Sequence, residues 1–249
     1  TDPLIMATVG TDAAPYQERL QKLGMDQRFV TGVPDTLTAQ AFITTDLDDN
    51  QITAFHPGAM NHSHLNHVPA DTGAKLAIVA PDGRDGMLQH ARELNERAIP
   101  FIFDPGQGLP MFSGPELLEF IGQASYVAVN DYEGKLLEEK TGYSLKELAG
   151  RVQALIVTRG AEGSTIHAGA TQFEIPCVKA TEVADPTGCG DAYRAGLIYG
   201  ILSGRDWRST GQLASLMGSL KIASRGGQNH VLNREDIGRL YRQHFGSDL

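Results

Sequence analysis

Cysteine, basic charge and long apolar runs are all scarce in this sequence. Its 249 residues contain only two cysteines, Cys177 and Cys189, which are too few for a disulfide framework and typical of a reducing compartment. Lysine and arginine number 21 against 30 acidic residues, and the resulting net charge of −9 argues against nucleic acid as the main partner. No apolar stretch approaches the length of a bilayer span and no signal peptide is recognisable, so we expect a cytoplasmic protein without membrane association.

Short apolar runs alternate with helical patterns from about residue 75 onwards. The strand-like runs cover 76–80, 101–104, 126–130 and 154–158, and the helical patterns lie at 85–97, 115–122, 132–140 and near 145. This alternation predicts an α/β fold in which helices cover both faces of a parallel sheet. A hairpin over 164–176 and three closing helices, one after residue 190 and others at 212–224 and 233–245, complete the expected domain.

The residues between 27 and 56 have a different pattern. β-rich stretches at 29–30, 36–45 and 51–55 follow one another without helices, and the polar residues 46–50 suggest a turn. We therefore expect a small antiparallel β lid at 27–56. The remaining residues, 1–26 and 57–249, then form the main domain, which opens with a buried strand at 4–9 and a helix at 14–23.

Four histidines lie in the segment 56–67, directly after the expected lid. A metal site there would need a carboxylate or cysteine on a rigid element, and neither accompanies the histidines. We favour a polar loop near the hinge of the lid, with metal binding as the alternative.

A glycine-rich turn near the C-terminus, Asp185-Pro186-Thr187-Gly188-Cys189-Gly190-Asp191, is followed by apolar residues at helical spacing. Its glycines let backbone N–H groups approach a ligand, and a helix N-terminus attracts anions such as phosphate. Asp191 lies in the first helical turn, where a carboxylate beside a phosphate can accept a proton from an attacking hydroxyl. The alternative is a helix start that binds nothing.

Polar residues also end three of the apolar runs, namely Asp104, Asn130 and Thr158. Ligands of open α/β sheets bind at this carboxyl edge. One turn after Asn130, Glu133 is a candidate for holding Mg²⁺ through water, or else the two residues form a helix capping box. The turn 158–163 offers Thr158 and Arg159 to a nucleotide phosphate, or else it is a simple tight turn.

Together these three motifs resemble the ribokinase-like (PfkB) family of carbohydrate and nucleoside kinases. The D-T-x-G-A-G-D signature of that family matches 185–191, with Pro186 and Cys189 as departures, and its N-x-x-E motif matches Asn130 and Glu133. Its T-x-G-x-x-G turn matches Thr158, Gly160 and Gly163. The resemblance implies a three-layer α/β/α fold with a mostly parallel central sheet and a small β lid.

The resemblance also implies roles for individual residues. Asp191 would be the catalytic base, and the backbone N–H groups of Gly188, Cys189 and Gly190 would form an oxyanion hole. Asn130 and Glu133 would organise Mg²⁺ and its waters, while Asp185 and Thr187 would lie at a site for a monovalent cation, usually K⁺. The nucleotide, ATP, would be bound by the following residues: Asn130, Glu133, Thr158, Arg159, Gly160, Gly163, Gly227 and Asn229.

The family implies an ATP-dependent phosphotransferase with a small-molecule acceptor. The amino-acid sequences of 185–196 and 55–60 resemble those of bacterial adenosine kinases. This resemblance favours phosphorylation of the 5′-hydroxyl of adenosine to give AMP. A kinase for ribose, fructose or another sugar is the alternative, followed by a nucleotide-binding module without turnover. Because the chain starts at Thr1, just before a strand, we expect that a sugar-gripping N-terminal segment of the family is missing. An exposed lid would allow a homodimer.

Overall fold

The computed structural model describes residues 2–45 and 51–249. The strands in this part of the chain are β1 (Leu4–Val9), β2 (Asp26–Gly32), β3 (Gln40–Thr45), β4 (Gln51–His56), β5 (Ala77–Val79), β6 (Phe101–Phe103), β7 (Tyr126–Asn130), β8 (Ala154–Thr158), β9 (Ser164–Ala168) and β10 (Thr171–Ile175). The helices are α1 (Ala14–Lys22), α2 (Arg84–Glu96), α3 (Gly114–Gln123), α4 (Asp131–Thr141), α5 (Leu145–Ala149), α6 (Cys189–Leu202), α7 (Trp207–Ile222) and α8 (Arg234–Phe245), with short 3₁₀ helices at Gly58–Leu65, Gly106–Met111 and Gly160–Glu162. None of the described helices is long and apolar enough to cross a membrane.

A six-stranded sheet in the order β10-β9-β8-β7-β6-β5 forms the centre of the main domain. Strands β5 to β8 run parallel, and the β9–β10 hairpin adds two antiparallel strands at one edge. The predicted mostly parallel sheet is therefore confirmed. Its register places Asn130 directly beside Thr158, so two of the expected rim residues are neighbours.

Alternate residues of the central strands enter two different cores. Phe101, Phe103 and Val127 pack with α2, α3 and α4 on one face of the sheet. Ile102, Tyr126 and Ile156 pack with α6 and α7 on the other face. This period of two explains why the strands read as continuous apolar runs, since both faces are covered. The close approach of α6 to α7 requires Gly196, where an added Cβ would lie 2.5 Å from Ala214 Cα.

Near the N-terminus the structure differs from the expected lid, in which three β-rich stretches between residues 27 and 56 would form one antiparallel sheet. Strand β2 pairs in parallel with β1, so it does not belong to an antiparallel lid. The reason is the intervening helix α1, which makes β1-α1-β2 a β-α-β unit, and such units pair their strands in parallel. Only β3 and β4 form an antiparallel hairpin. The expected turn at 46–50 lies outside the described residues, and the division at 27–56 stays a prediction.

The histidine-rich segment is a 3₁₀ helix at Gly58–Leu65, and the expectation of a loop was wrong. It lies against the start of α2 because Gly83 and Gly86 leave room: a Cβ at either position would come within 2.6 Å of Met60 or Ser63 atoms. The described residues contain no group of three or more His, Cys, Asp or Glu side chains that could hold a metal ion. The helix α7 also starts earlier than expected, because Asp206 caps it by accepting the Ser209 N–H at 3.0 Å.

Candidate active site

The glycine turn leads into α6 as the sequence indicates. Gly188 is the N-cap, with φ +82°, a conformation that favours glycine. A Cβ there would lie 2.9 Å from the Gly227 carbonyl oxygen, so the turn packs against the segment 224–229. Asp191 is exposed in the first turn of α6, where backbone N–H groups lack intrahelical acceptors. The turn therefore presents an exposed carboxylate beside the backbone N–H groups of a first helical turn.

Cys189 acts in this turn through its main chain and packing. Its N–H donates to the Pro186 carbonyl oxygen at 3.1 Å, and its Sγ lies 3.9 Å from the Asp185 carbonyl oxygen. Burial raises the pKa of the thiol. The N–H that the resemblance assigns to the oxyanion hole is thus already engaged within the turn.

Asp185 joins the turn to the segment 224–229. Its carboxylate accepts the Thr187 N–H at 2.9 Å and the Gly226 N–H at 2.7 Å. These backbone hydrogen bonds lower the pKa of Asp185 to about 2, so the group is ionised at neutral pH. Asn229 closes the same segment by donating from Nδ2 to the Arg225 carbonyl oxygen at 3.1 Å. The predicted residues Asp185, Gly188, Gly227 and Asn229 therefore lie in one compact region.

Lys221 was not among the predicted site residues. It is fully buried near the end of α7, and its Nζ donates to the carbonyl oxygens of Asp185 at 3.0 Å and Ser224 at 2.9 Å. The signal available in the sequence was a lysine on the same helical face as Leu213 and Met217, where a charged residue needs a reason.

Asn130 and Glu133 form the capping box that was the alternative interpretation. Asn130 Oδ1 accepts the Glu133 N–H at 2.7 Å, while the Glu133 carboxylate accepts the Asn130 N–H at 2.8 Å and its Nδ2–H at 2.9 Å. Burial raises the pKa of Glu133. The cap and a water-mediated magnesium site are compatible. Each Glu133 carboxylate oxygen accepts one hydrogen bond within the cap and keeps a second lone pair that can accept from a magnesium-bound water.

A buried ion pair links the central sheet to α6. The Arg194 guanidinium donates to both carboxylate oxygens of Asp104, at 2.9 and 3.0 Å. Burial opposes the charge of Arg194, but the attraction of Asp104, with those of Glu133 and Asp191, raises the pKa of the guanidinium. Arg194 is thus paired with Asp104 and lies within the electrostatic reach of Glu133 and Asp191. Sequence reasoning missed it, although its spacing of three from Asp191 places both on one face of the helix.

The turn 158–163 contributes less to this rim than expected. Thr158 ends β8 beside Asn130, but the Arg159 guanidinium points to the outer hairpin, where it bonds Glu174 at 2.9 Å and also Thr165. Gly163 has φ +88°, and a Cβ there would lie 2.1 Å from the Ile175 carbonyl oxygen. With Gly160, it serves the tight turn that was the alternative interpretation.

In the part of the chain that the structure describes, side-chain hydrogen bonds hold the β3–β4 hairpin at its base. Asp12 Oδ1 accepts both the N–H and the Oγ1–H of Thr38 at 2.7 Å, and Asp12 Oδ2 accepts from Gln40 at 3.0 Å. Gly10 and Gly58 press on the Leu37 backbone, where a Cβ at either would lie 2.2 Å away. Beyond this base the hairpin exposes apolar side chains, among them Ile52 at 79% and Phe42 at 61%.

The comparison with known families decides what this arrangement belongs to. The family model for pfkB carbohydrate kinases matches residues 3–234. The chain belongs to the PfkB family. As a PfkB-family kinase it is a phosphotransferase that acts on an alcohol group of a nucleoside or sugar.

Known PfkB kinases resemble the chain in both sequence and structure. It is similar to the nucleoside kinase of Methanocaldococcus jannaschii, with 32% identity over 230 residues, 91% of this chain and 75% of that protein. It is also similar to the ribokinase of Lactococcus lactis, with 31% identity over 82% of this chain and 67% of that protein. The structure of Burkholderia thailandensis nucleoside kinase with inosine superimposes with a TM-score of 0.96 and 54% identity, covering 99% of this chain and 81% of that one.

Proposed function

We propose that this PfkB-family kinase uses ATP to phosphorylate the 5′-hydroxyl of a purine nucleoside, with adenosine as acceptor and AMP as product. The observation that carries the proposal is the exposed Asp191 carboxylate at the N-terminus of α6, beside the glycine turn. Support for a nucleoside comes from the Burkholderia thailandensis kinase, 54% identical, whose structures were obtained with inosine and with ADP-inosine.

In the proposed reaction Asp191 accepts the proton of the attacking hydroxyl. The N-terminus of α6, entered through Gly188 and Gly190, faces the charge that develops on the transferring phosphoryl group. Most of the rate enhancement comes from holding the hydroxyl in line with the phosphate, because phosphoryl transfer needs little covalent help from the protein.

The acidic rim suits Mg²⁺, a hard cation that prefers oxygen ligands and keeps much of its hydration beside phosphates. Asn130 and Glu133 would hold it through water, and the ion would neutralise phosphate charge during transfer. The buried cap between the two residues fixes the Glu133 carboxylate in place. Thr158, Gly227 and Asn229 would line the nucleotide, while the turn of Gly160 and Gly163 and the engaged Arg159 would support it from outside.

The lid hairpin would cover the acceptor. Its two faces both carry exposed apolar residues: Ile43 and Phe55 share one face, and Phe42 and Ile52 share the other. One face would close over the nucleoside, and the other would be available to a second copy in the homodimer that an exposed lid allows.

A sugar kinase is the second candidate, and the similarity to the Lactococcus lactis ribokinase favours it. A single assay separates the two: kcat/KM with ATP for adenosine, inosine, ribose and fructose. We expect adenosine and inosine to exceed the free sugars by about 10²-fold or more, because a site built for a base rejects acceptors that leave its groups unpaired.

Two results would contradict the proposal. A higher kcat/KM for ribose or fructose would assign the chain to the sugar kinases. ATP binding without transfer to any acceptor of the panel would indicate a nucleotide-binding module. The same panel run with Asp191→Asn measures the background hydrolysis of ATP.

A further inference from the structure

Lys221 is the one lysine in the described residues that is completely buried. Its ammonium bonds two main-chain carbonyl oxygens, those of Asp185 and Ser224, and no ion pair in the described part of the chain includes it. Burying an ammonium is strongly unfavourable unless its surroundings compensate for the lost water. We therefore expect the buried charge of Lys221 to have a structural or functional role.

The two carbonyl groups belong to two segments, the glycine turn 185–191 and residues 224–229. We assign these segments to the ATP phosphates and call them the phosphate end. Asp185 opens the glycine turn, and Ser224 opens the segment 224–229. The same two segments are joined by the hydrogen bond from Gly226 N–H to the Asp185 carboxylate and by the packing of Gly188 on Gly227. The Lys221 ammonium thus joins the glycine turn to the segment 224–229 by one hydrogen bond to each.

The family resemblance implies a monovalent cation at Asp185 and Thr187, and these residues do not fit one in this structure. Such an ion would take carbonyl and carboxylate oxygens as ligands. The Asp185 carbonyl oxygen is already bonded to the Lys221 ammonium at 3.0 Å. Each carboxylate oxygen of Asp185 accepts one N–H group, of Thr187 or of Gly226, and keeps a second lone pair. A monovalent cation on these oxygens would be repelled by the fixed ammonium beside them, and this repulsion is what excludes the ion.

We propose that the Lys221 ammonium takes the place of the monovalent cation, so that this kinase binds ATP and turns over without K⁺. Lys221 is a positioning residue: it holds the glycine turn against the segment 224–229 and does not touch the reacting atoms. The inference rests on the proposed assignment of the glycine turn to the ATP phosphates. It does not depend on which acceptor is used.

The first test uses the unaltered protein. ATP affinity by calorimetry, and thermal stability, are measured in potassium, sodium and tetramethylammonium chloride at one ionic strength, with no acceptor present. We expect the Kd for ATP to vary by less than about twofold among the salts, because no site remains for the ion to bind. A saturable gain of about tenfold or more that is specific for K⁺ would overturn the proposal.

The second test removes the ammonium and leaves space for an ion, with Lys221→Ala. We expect ATP binding to weaken by about tenfold or more in tetramethylammonium and to recover in part with K⁺ or NH₄⁺. The matched control is Lys140→Ala, because Lys140 Nζ also bonds two carbonyl oxygens, of Pro110 at 3.1 Å and Phe112 at 2.8 Å, away from the site. That variant should keep the ATP affinity of the unaltered protein in every salt.

Unchanged ATP affinity of Lys221→Ala in tetramethylammonium would refute the positioning role. If Lys221→Ala does not fold, the salt series on the unaltered protein still decides the question. Because neither measurement uses an acceptor, a wrong assignment of the nucleoside would leave both results unaffected. Failure to bind ATP in any salt would instead count against the proposed function.

Discussion

The proposed phosphate end and the proposed lid, the hairpin β3–β4, are built in opposite ways. At the phosphate end, the glycine turn and the segment 224–229 are joined by hydrogen bonds to Asp185 and by the buried Lys221. The lid is a two-stranded hairpin tied down at Asp12 and exposing apolar residues on both faces. Two strands without a covering layer are marginally stable. The proposed phosphate end is therefore held by contacts within the fold, whereas the hairpin β3–β4 has few such contacts among the described residues.

The largest expected effect comes from Asp191, the carboxylate that we propose as the catalytic base. Asp191→Asn should lower kcat by about 10²- to 10⁴-fold, the usual loss for a general base, and leave the Tm unchanged because the side chain is exposed. Steady-state kinetics with adenosine and a thermal melt measure both. Glu235→Gln is the control, since Glu235 is also an exposed carboxylate in the first turn of a helix. Near-normal turnover of Asp191→Asn would remove the assignment.

A second variant asks whether the shape of the turn matters for ATP. Gly188→Ala places a Cβ at φ +82° and 2.9 Å from the Gly227 carbonyl oxygen, and we expect about 1–3 kcal/mol of strain and a KM for ATP raised by about tenfold. Gly204→Ala is the matched control, because Gly204 has φ +65° with nothing within 4 Å. Both should lower the Tm, and only Gly188→Ala should raise the KM. Equal KM values would mean that the turn does not position the nucleotide.

Variants of the proposed lid test whether the hairpin affects the acceptor and dimerisation without affecting ATP. Phe42→Ser with Ile52→Ser alters one face of the hairpin, and Ile43→Ser with Phe55→Ser alters the other. Since these side chains are exposed, each pair should change stability by only about 0.5 kcal/mol. We expect one pair to raise the KM for the acceptor several-fold, which corresponds to a loss of about 1 kcal/mol of binding free energy. We expect the other pair to weaken dimerisation, measured by sedimentation velocity. A matching rise in the KM for ATP would contradict the separation between lid and phosphate end.

The smallest expected effect is on acid stability at the phosphate end. The pKa of Asp185 is lowered from 3.8 to about 2 by its backbone hydrogen bonds. A lowered folded-state pKa means that the carboxylate stabilises the fold above about pH 4 and that this contribution disappears as the pH falls towards 2. Asp185→Asn should therefore melt at a lower temperature than the unaltered protein at pH 6, with the difference shrinking between pH 4 and 2. A difference that is constant with pH would show that the charge is irrelevant.

Local sequence signals account for most of the main domain. The apolar runs ending at Asn130 and Thr158 became adjacent parallel strands, as alternation with helices indicates. The glycine turn became the start of α6 at the predicted place, because helix starts are encoded by residues close together in sequence. The prediction failed where pairing partners had to be chosen. Asp26–Gly32 looked like part of the lid and instead paired with β1 across α1.

The sequence by itself determined the class of the fold, the family and the motifs that carry the chemistry, because those depend on short stretches of residue types in order. Only the tertiary structure decided which of these residues meet. It turned Arg159 towards Glu174, paired Arg194 with Asp104, and placed Lys221 on the carbonyl of Asp185, 36 residues away. Such contacts depend on how layers pack, and a charge buried between layers is defined by atoms far apart in the chain.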